Sequence, residues 1–358
     1  MTGRLELGLF LPNTSGGTVM GAQHPPENLP TFARNRDITL AAERAGFDFV
    51  LSQVKFRGFG GPSRHWDYSL ESFTLMSALA AVTSRIRLFA SVAIRTMNPV
   101  VVAKMAATID DIAGGRFGVN IVAGWNKFEY EQMGLWAEDD YHAYRYDYAA
   151  EYLDVMRSLW TQGRASHEGR FFRIDDCMCW PTPARPLPIV CAGQSEDAIA
   201  FTAQNADFAF VGRMKDDVPA LGALSARIDA AAGAHGRSVG SYVLMTIIAE
   251  ETDEAALARR DRYIANADEA AIREWLRASG QDAHRVNYDS LPPLQRTFMG
   301  FHLVAASYEK VAAHLDALAD AGVRGACFVF PDFAPDLDRF IANVLPHCRS
   351  FRPALTEA

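Results

Sequence analysis

Eight short apolar runs, separated by stretches of helical periodicity, limit this chain to very few folds. They are LELGLFL (5–11), FDFVLS (47–52), IRLFASVA (86–93), RFGVNIVAG (116–124), PIVCAG (188–193), DFAFVG (207–212), YVLMTIIAE (242–250) and GACFVFP (325–331). Each is rich in Val, Ile, Leu and Phe with little alternation, the pattern of strands buried on both faces. Between them the periodicity predicts helices over 34–45, 70–83, 99–112, 143–161, 196–203, 218–234 and 308–321. Gly46 and Gly114-Gly115 sit where two of these should stop, and Pro99 where one should begin. Repeated strand–helix units give either a doubly wound sheet or a closed barrel, and eight units favour the barrel. The expected fold is therefore a single α/β domain over 1–358, a (β/α)8 TIM barrel with two insertions. The first, about 164–187, carries EGRFFRIDD as a candidate strand pair. The second, about 251–305, holds helical pieces at 254–266 and 269–279 and then Pro292-Pro293. Insertions of this length tend to be lids or binding loops.

The composition is that of an ordinary globular protein, 49% hydrophobic and 22% charged over 358 residues. No run of eighteen apolar residues spans a bilayer. The opening MTGRLELGLFLPNTSGG lacks the basic region and long apolar stretch of a signal peptide, so a cytoplasmic location is expected. A net charge of −8 without a Lys/Arg cluster argues against a nucleic-acid partner. Of five cysteines, Cys177 and Cys179 form a Cys-x-Cys pair without a second Cys/His pair at metal spacing. Cys191 and Cys327 lie inside apolar runs and read as core residues. No metal is expected.

Barrel active sites form at the C-terminal ends of the strands, so the residues after each run are the first candidates. After the second run come Leu51, Ser52, Gln53, Val54 and Lys55, then the glycine-rich FRGFGG. The third delivers Ser91, the fourth Asn120 and then Gly124, Trp125 and Glu129. The fifth ends in Ala192-Gly193-Gln194-Ser195 immediately before a helix. Small residues and a hydroxyl at a helix start suit a phosphate, and Arg145-Tyr146 could complete such a site. Read singly, Ser195 is a helix cap and Arg145 a residue of a solvated helix face. There is no G-x-G-x-x-G after a strand, no Walker-type loop, no H-E-x-x-H and no G-x-S-x-G. His65, His142 and His302 fall near strand ends, where a lone histidine is commonly a surface residue. A phosphate-bearing cofactor is thus suggested without a classical dinucleotide domain.

The segments LSQVKFRGFGGPSRHWDYSLESFTLMSALAAVTSRI, ATIDDIAGGRFGVNIVAGWNKFEYEQMGLW, DDYHAYRYDY and CAGQS resemble those of the luciferase-like FMN-dependent monooxygenases. Within that family they are most similar to the branch that cleaves the pyrimidine ring of uracil. They cover most of residues 47–205, and a looser similarity runs from the first strand to the last. The resemblance implies FMN used as FMNH2, supplied by a separate NAD(P)H-dependent reductase, with O2 activated at the flavin and oxygen passed to a small-molecule substrate. A homo-oligomer, dimer or tetramer, is implied as well. Matching positions imply FMN contacts from Val54, Lys55, Asn120, Glu129, Arg145, Tyr146 and Ser195. Leu51, Ser91, Asn120 and Trp125 would surround the oxygen-binding edge, with Asn120 and Ser91 donating hydrogen bonds to charge developing on oxygen.

The chain departs from that branch in three places. Ser91 stands where its members carry Thr, Arg95 where they carry an apolar residue, and 296–302 reads differently. Arg95 either faces the pocket, where it would meet an anionic substrate group, or turns to solvent or to a carboxylate of the late insertion. The other functions weighed are hydride transfer with the deazaflavin coenzyme F420, oxidation of sulfones or sulfonates by an FMN enzyme of the same fold, and a non-catalytic flavin carrier. RGFGG and AGWNKFEYEQMG favour the monooxygenase.

Overall fold

Six strands in the first two-thirds of the chain, each followed by a helix or an insertion, begin the wall. The computed structural model describes residues 3–21, 29–136, 140–279 and 291–351. The order opens β1 (Glu6–Phe10), α1 (Phe32–Ala45), β2 (Phe49–Ser52), α2 (Ser72–Ala80), β3 (Arg87–Ala93), α3 (Pro99–Ala113) and β4 (Phe117–Val122). It continues with α4 (Lys127–Glu131), α5 (Tyr141–Gln162), the hairpin β5 (Arg164–Glu168) and β6 (Arg173–Met178), then β7 (Ile189–Ala192), α6 (Glu196–Asn205), β8 (Phe208–Val211) and α7 (Val218–Gly233). The last third holds β9 (Gly240–Glu250), α8 (Asp253–Ala265), α9 (Glu269–Ser279), α10 (Pro293–Thr297), β10 (His302–Ser307), α11 (Tyr308–Asp320), β11 (Gly325–Val329) and α12 (Phe333–Asn343).

Parallel pairing runs β1–β2–β3–β4–β7–β8–β9–β11 and returns to β1, closing an eight-stranded barrel. All eight apolar runs are these strands. The first insertion is the antiparallel hairpin expected from EGRFFRIDD. Part of the second, residues 280–290, lies outside the described residues. Gly46 and Gly114 take left-handed conformations and end α1 and α3 as their positions suggest.

β10 is not among the eight runs. It pairs in parallel with β9 from Met245 to Glu250, on the edge that β8 leaves after Val243. It therefore lies outside the closed ring. Among the described residues no helix is long and apolar enough to cross a membrane.

The barrel interior is built on the period of two. The rings of Phe49, Phe89, Phe208 and Tyr242 meet inside, with Phe49 to Tyr242 at 4.5 Å and Phe208 to Tyr242 at 4.7 Å. Gly8 and Gly118 make room, because a β-carbon on either would enter the Phe49 or Phe89 ring. Below the rings, Glu6 pairs with Arg87 and Arg324 and accepts from the Tyr242 hydroxyl at 2.7 Å. Burial pushes the Glu6 carboxyl up, but Arg87, Tyr242 and Arg324 outweigh it and hold it below the usual range. Two residues further along the same strand faces come Leu51, Ser91 and Asn120, one layer nearer the C-terminal mouth. The fold thus brings these three together at the end where barrel sites form.

Candidate active site

At the mouth, hydrogen bonds join side chains of two strands to the backbone of a third. Asn120 Nδ2 donates to Ser91 Oγ at 2.8 Å, and the Ser91 hydroxyl donates to the Ser52 carbonyl at 2.6 Å. Asn120 Oδ1 is buried and has no hydrogen-bond partner among the described residues. Leu51 is fully buried beside them. A serine hydroxyl carries one proton, and that of Ser91 is committed to Ser52. The expectation that Ser91 donates to oxygen is therefore corrected: Ser91 is the acceptor that fixes Asn120. No side chain among Leu51, Ser91, Asn120 and Trp125 ionises near neutrality, so this end works by hydrogen bonding and water exclusion rather than by acid–base exchange.

Beyond β2 the chain turns over the mouth. Lys55 Nζ meets Glu129 Oε2 at 2.6 Å, and the Phe56 N–H donates to Glu129 Oε1 at 2.6 Å. Both side chains of the ion pair are buried. The ammonium also lies 4.9 Å from the centre of the Trp125 ring, 5.3 Å from Trp66 and 5.7 Å from Phe59, a three-sided aromatic cage. Glu129 sits on α4, so one ion pair locks the loop after β2, with Val54 and Lys55, to the segment after β4, with Trp125.

The late insertion covers this assembly. The apolar face of α9 (Ala271, Ile272, Trp275, Ala278) packs on Phe59, Trp66, Met20 and Met299. Asp268 caps α9 by accepting from Ala270 N and Ala271 N, and its other oxygen takes Ser63 N and Ser63 Oγ at 2.8 and 2.6 Å. Arg277 lies 3.9 Å over Phe128 of α4. The sequence gives no direct sign of this contact, because α9 and the FRGFGG loop are about two hundred residues apart.

On the far side, α5 and α6 converge. Ser195 caps α6, its Oγ accepting from Ala198 N at 3.3 Å. A β-carbon on Gly193 would run into Ala198 and come within 3.3 Å of the Tyr146 hydroxyl, so the absence of a side chain there lets α5 approach the α6 start. Arg145 is buried, stacks 5.1 Å over the Tyr146 ring and donates to the Gly124 carbonyl at 3.4 Å. Gln194 Nε2 is buried with no partner among the described residues. The quoted CAGQS contains Gln194, yet nothing in its type or spacing singles it out. A guanidinium, a phenol, an unpartnered amide donor and a helix N-terminus on these neighbouring elements are the donor types that an anionic phosphate takes. Glu196, in the first turn of the same helix, is engaged by Arg227. Arg145 is thus not the residue of a solvated helix face that it would be when read singly, whereas Ser195 is a cap as well as a candidate donor.

The remaining candidates lie elsewhere. Arg95 donates to the Leu135 carbonyl at 2.9 Å and lies 5.0 Å over Tyr141 and 5.1 Å over Tyr148 of α5. The alternative of a carboxylate partner in the late insertion is corrected, since two ring faces and a carbonyl meet the cation instead. His65 is buried between Phe59 and Trp66, and His142 faces Arg145 at 3.3 Å. His302 and His314 meet through their Nε2 atoms at 3.1 Å, and burial, then His302, holds His314 down to about 4. Among the described residues no three His, Cys, Asp or Glu side chains form a metal-binding group. Cys191 and Cys327 are buried, and burial pushes the Cys191 thiol up to about 11.

The sequence pattern of the luciferase-like monooxygenases matches residues 5–325. The chain belongs to the luciferase-like monooxygenase family. It is 44% identical over 362 residues to the pyrimidine monooxygenase RutA of Escherichia coli O127:H6, covering 99% of both chains. Two solved structures share the fold. One is a long-chain alkane monooxygenase, with a TM-score of 0.82, 20% identity and coverage of 100% of this chain and 94% of that one. The other is a riboflavin lyase with modified FMN and riboflavin, with a TM-score of 0.80, 21% identity and coverage of 99% and 95%.

Proposed function

We propose that this luciferase-like monooxygenase uses FMN, reduced by a separate NAD(P)H-dependent reductase, to cleave an amide or C–N bond of a uracil-like pyrimidine with O2. The observation that carries this reading is the pair of sites joined through Gly124. A phosphate-fitting end (Arg145, Tyr146, Gln194, Ser195) bonds to the carbonyl of the residue that precedes Trp125. The similarity to a pyrimidine monooxygenase over nearly the whole of both chains supports the substrate class.

Bound reduced FMN would supply two electrons to O2, so that cleaving an amide C–N bond would place both oxygen atoms on the freed acyl carbon as a peracid, the nitrogen leaving with a proton; two further electrons from NADH would release one of those atoms as water. The chain's own residues bind and shield. Arg145, Tyr146 and Ser195 hold the phosphate, with Gln194 as a further donor. Val54, Lys55 and Glu129 line the cofactor along the loop that the ion pair fixes. Leu51 and Trp125 exclude water. Asn120, with one N–H committed to Ser91, keeps a second N–H and Oδ1 for the oxygen-binding space.

Titration with FMN and with deazaflavin, followed by turnover of pyrimidines with FMN, reductase and NADH under air, tests the reading. FMN binding and a ring-opened product are expected; preference for the deazaflavin and oxygen-independent hydride transfer would replace it. With the flavin site saturated, Asn120→Ala should send electrons to hydrogen peroxide, lowering product per FMNH2 by about a hundredfold, the scale of one lost oxyanion-type donor. Wild-type yield in that variant would remove Asn120 from oxygen chemistry.

A further inference from the structure

We propose that Ser72, on α2 outside the barrel wall, is a positioning residue that sets the orientation of the Asn120 carboxamide. The functional part of this inference rests on the oxygen-facing reading of Asn120; the structural part does not.

β2 ends at Ser52, whose register partner is Ala90, whereas β3 runs on to Ala93. Where the two strands part, Ser72 Oγ takes the Ser91 N–H at 2.8 Å. The same oxygen meets Ser52 Oγ at 2.5 Å. Ser91 is thereby held with its hydroxyl on the Ser52 carbonyl and a lone pair toward Asn120 Nδ2. Protons run one way, from Asn120 to Ser91 to the Ser52 carbonyl, so the amide nitrogen faces Ser91 and Oδ1 faces away. All four side chains are buried, and Ser52 and Ser72 are fully so. No water can replace a lost partner cheaply in such a place.

Nor is Ser72 needed by its own helix. The N-cap of α2 is Glu71, whose carboxylate already accepts from Phe73 N and Thr74 N. Its hydroxyl instead serves two strands. Without it, the buried Ser91 N–H has no acceptor, β3 must shift or Ser91 must rotate, and the Asn120 amide loses the atom that orients it.

The test uses the full-length FMN-free protein labelled with 15N-asparagine, the Asn120 side-chain signal being identified by its loss in Asn120→Ala. In Ser72→Ala that signal should move and its amide protons should exchange about tenfold faster, the scale of one lost hydrogen bond; Ser72→Thr should restore both. In the FMN-loaded enzyme, Ser72→Ala should lower product per FMNH2 at unchanged FMN affinity, and add nothing in an Asn120→Ala background. An unmoved Asn120 signal in Ser72→Ala overturns the proposal. If that variant does not fold, Ser52→Ala carries the same test, with a smaller displacement expected and an unmoved signal again overturning it. A moved signal alongside wild-type yield in Asn120→Ala would sustain the positioning and refute the oxygen role.

Discussion

Glu129→Ala should lower stability by about 3 kcal/mol and loosen the loop after β2. Removing one partner of a buried ion pair leaves the other charge uncompensated, a loss of about 3–5 kcal/mol. The lower end is expected because the rings of Trp125, Trp66 and Phe59 continue to face the Lys55 ammonium. The Phe56 N–H loses its acceptor at the same time. Thermal unfolding should show the midpoint falling by several degrees, and FMN affinity should fall with it. Glu129→Gln separates the two contributions, since an amide oxygen can still accept from Phe56 while the charge is gone. Wild-type midpoint and affinity in Glu129→Ala would show that the pair does not organise the mouth.

Arg145→Ala should weaken FMN binding by about 1.5–3 kcal/mol, roughly 10- to 150-fold in Kd, the worth of a charge-assisted hydrogen bond to phosphate. Ser195→Ala should cost less, because its hydroxyl is neutral and mainly caps α6. Riboflavin, which lacks the phosphate, supplies the control: its affinity should hardly change in Arg145→Ala. Equal losses for FMN and riboflavin would mean that Arg145 acts through its bond to Gly124. An unchanged FMN affinity would move the phosphate elsewhere.

The barrel was legible because its strands are buried on both faces, and unbroken apolar runs reveal that directly. The elements that escape such reading have physical reasons. β10 is half-buried, among the described strands pairs only with β9, and runs straight into α11, so no breaker separates strand from helix. In α12, Pro335 looks like a stop, yet it lies in the first turn, where a missing N–H costs no helical bond. At the site, residue types at strand ends pointed to Leu51, Ser91 and Asn120, and a phosphate-suited helix start to Arg145, without revealing their partners. Ser72 reaches Ser91 from another element, Asp268 reaches Ser63 across about two hundred residues, and Arg95 finds Tyr141 and Tyr148 on α5. Those contacts are made by closing the barrel, and one-dimensional periodicity carries no trace of them.

On the function proposed above, this chain moves oxygen from O2 into a pyrimidine ring. The most direct measurement is turnover of uracil with FMN, a reductase and NADH under 18O2, followed by mass spectrometry of the ring-opened product. Label in the freed acyl group is expected, two 18O atoms in the peracid and one in the acid formed from it by NADH, and none when the label is in water instead. Ring opening with label only from water, or oxidation that proceeds equally without O2, would contradict it.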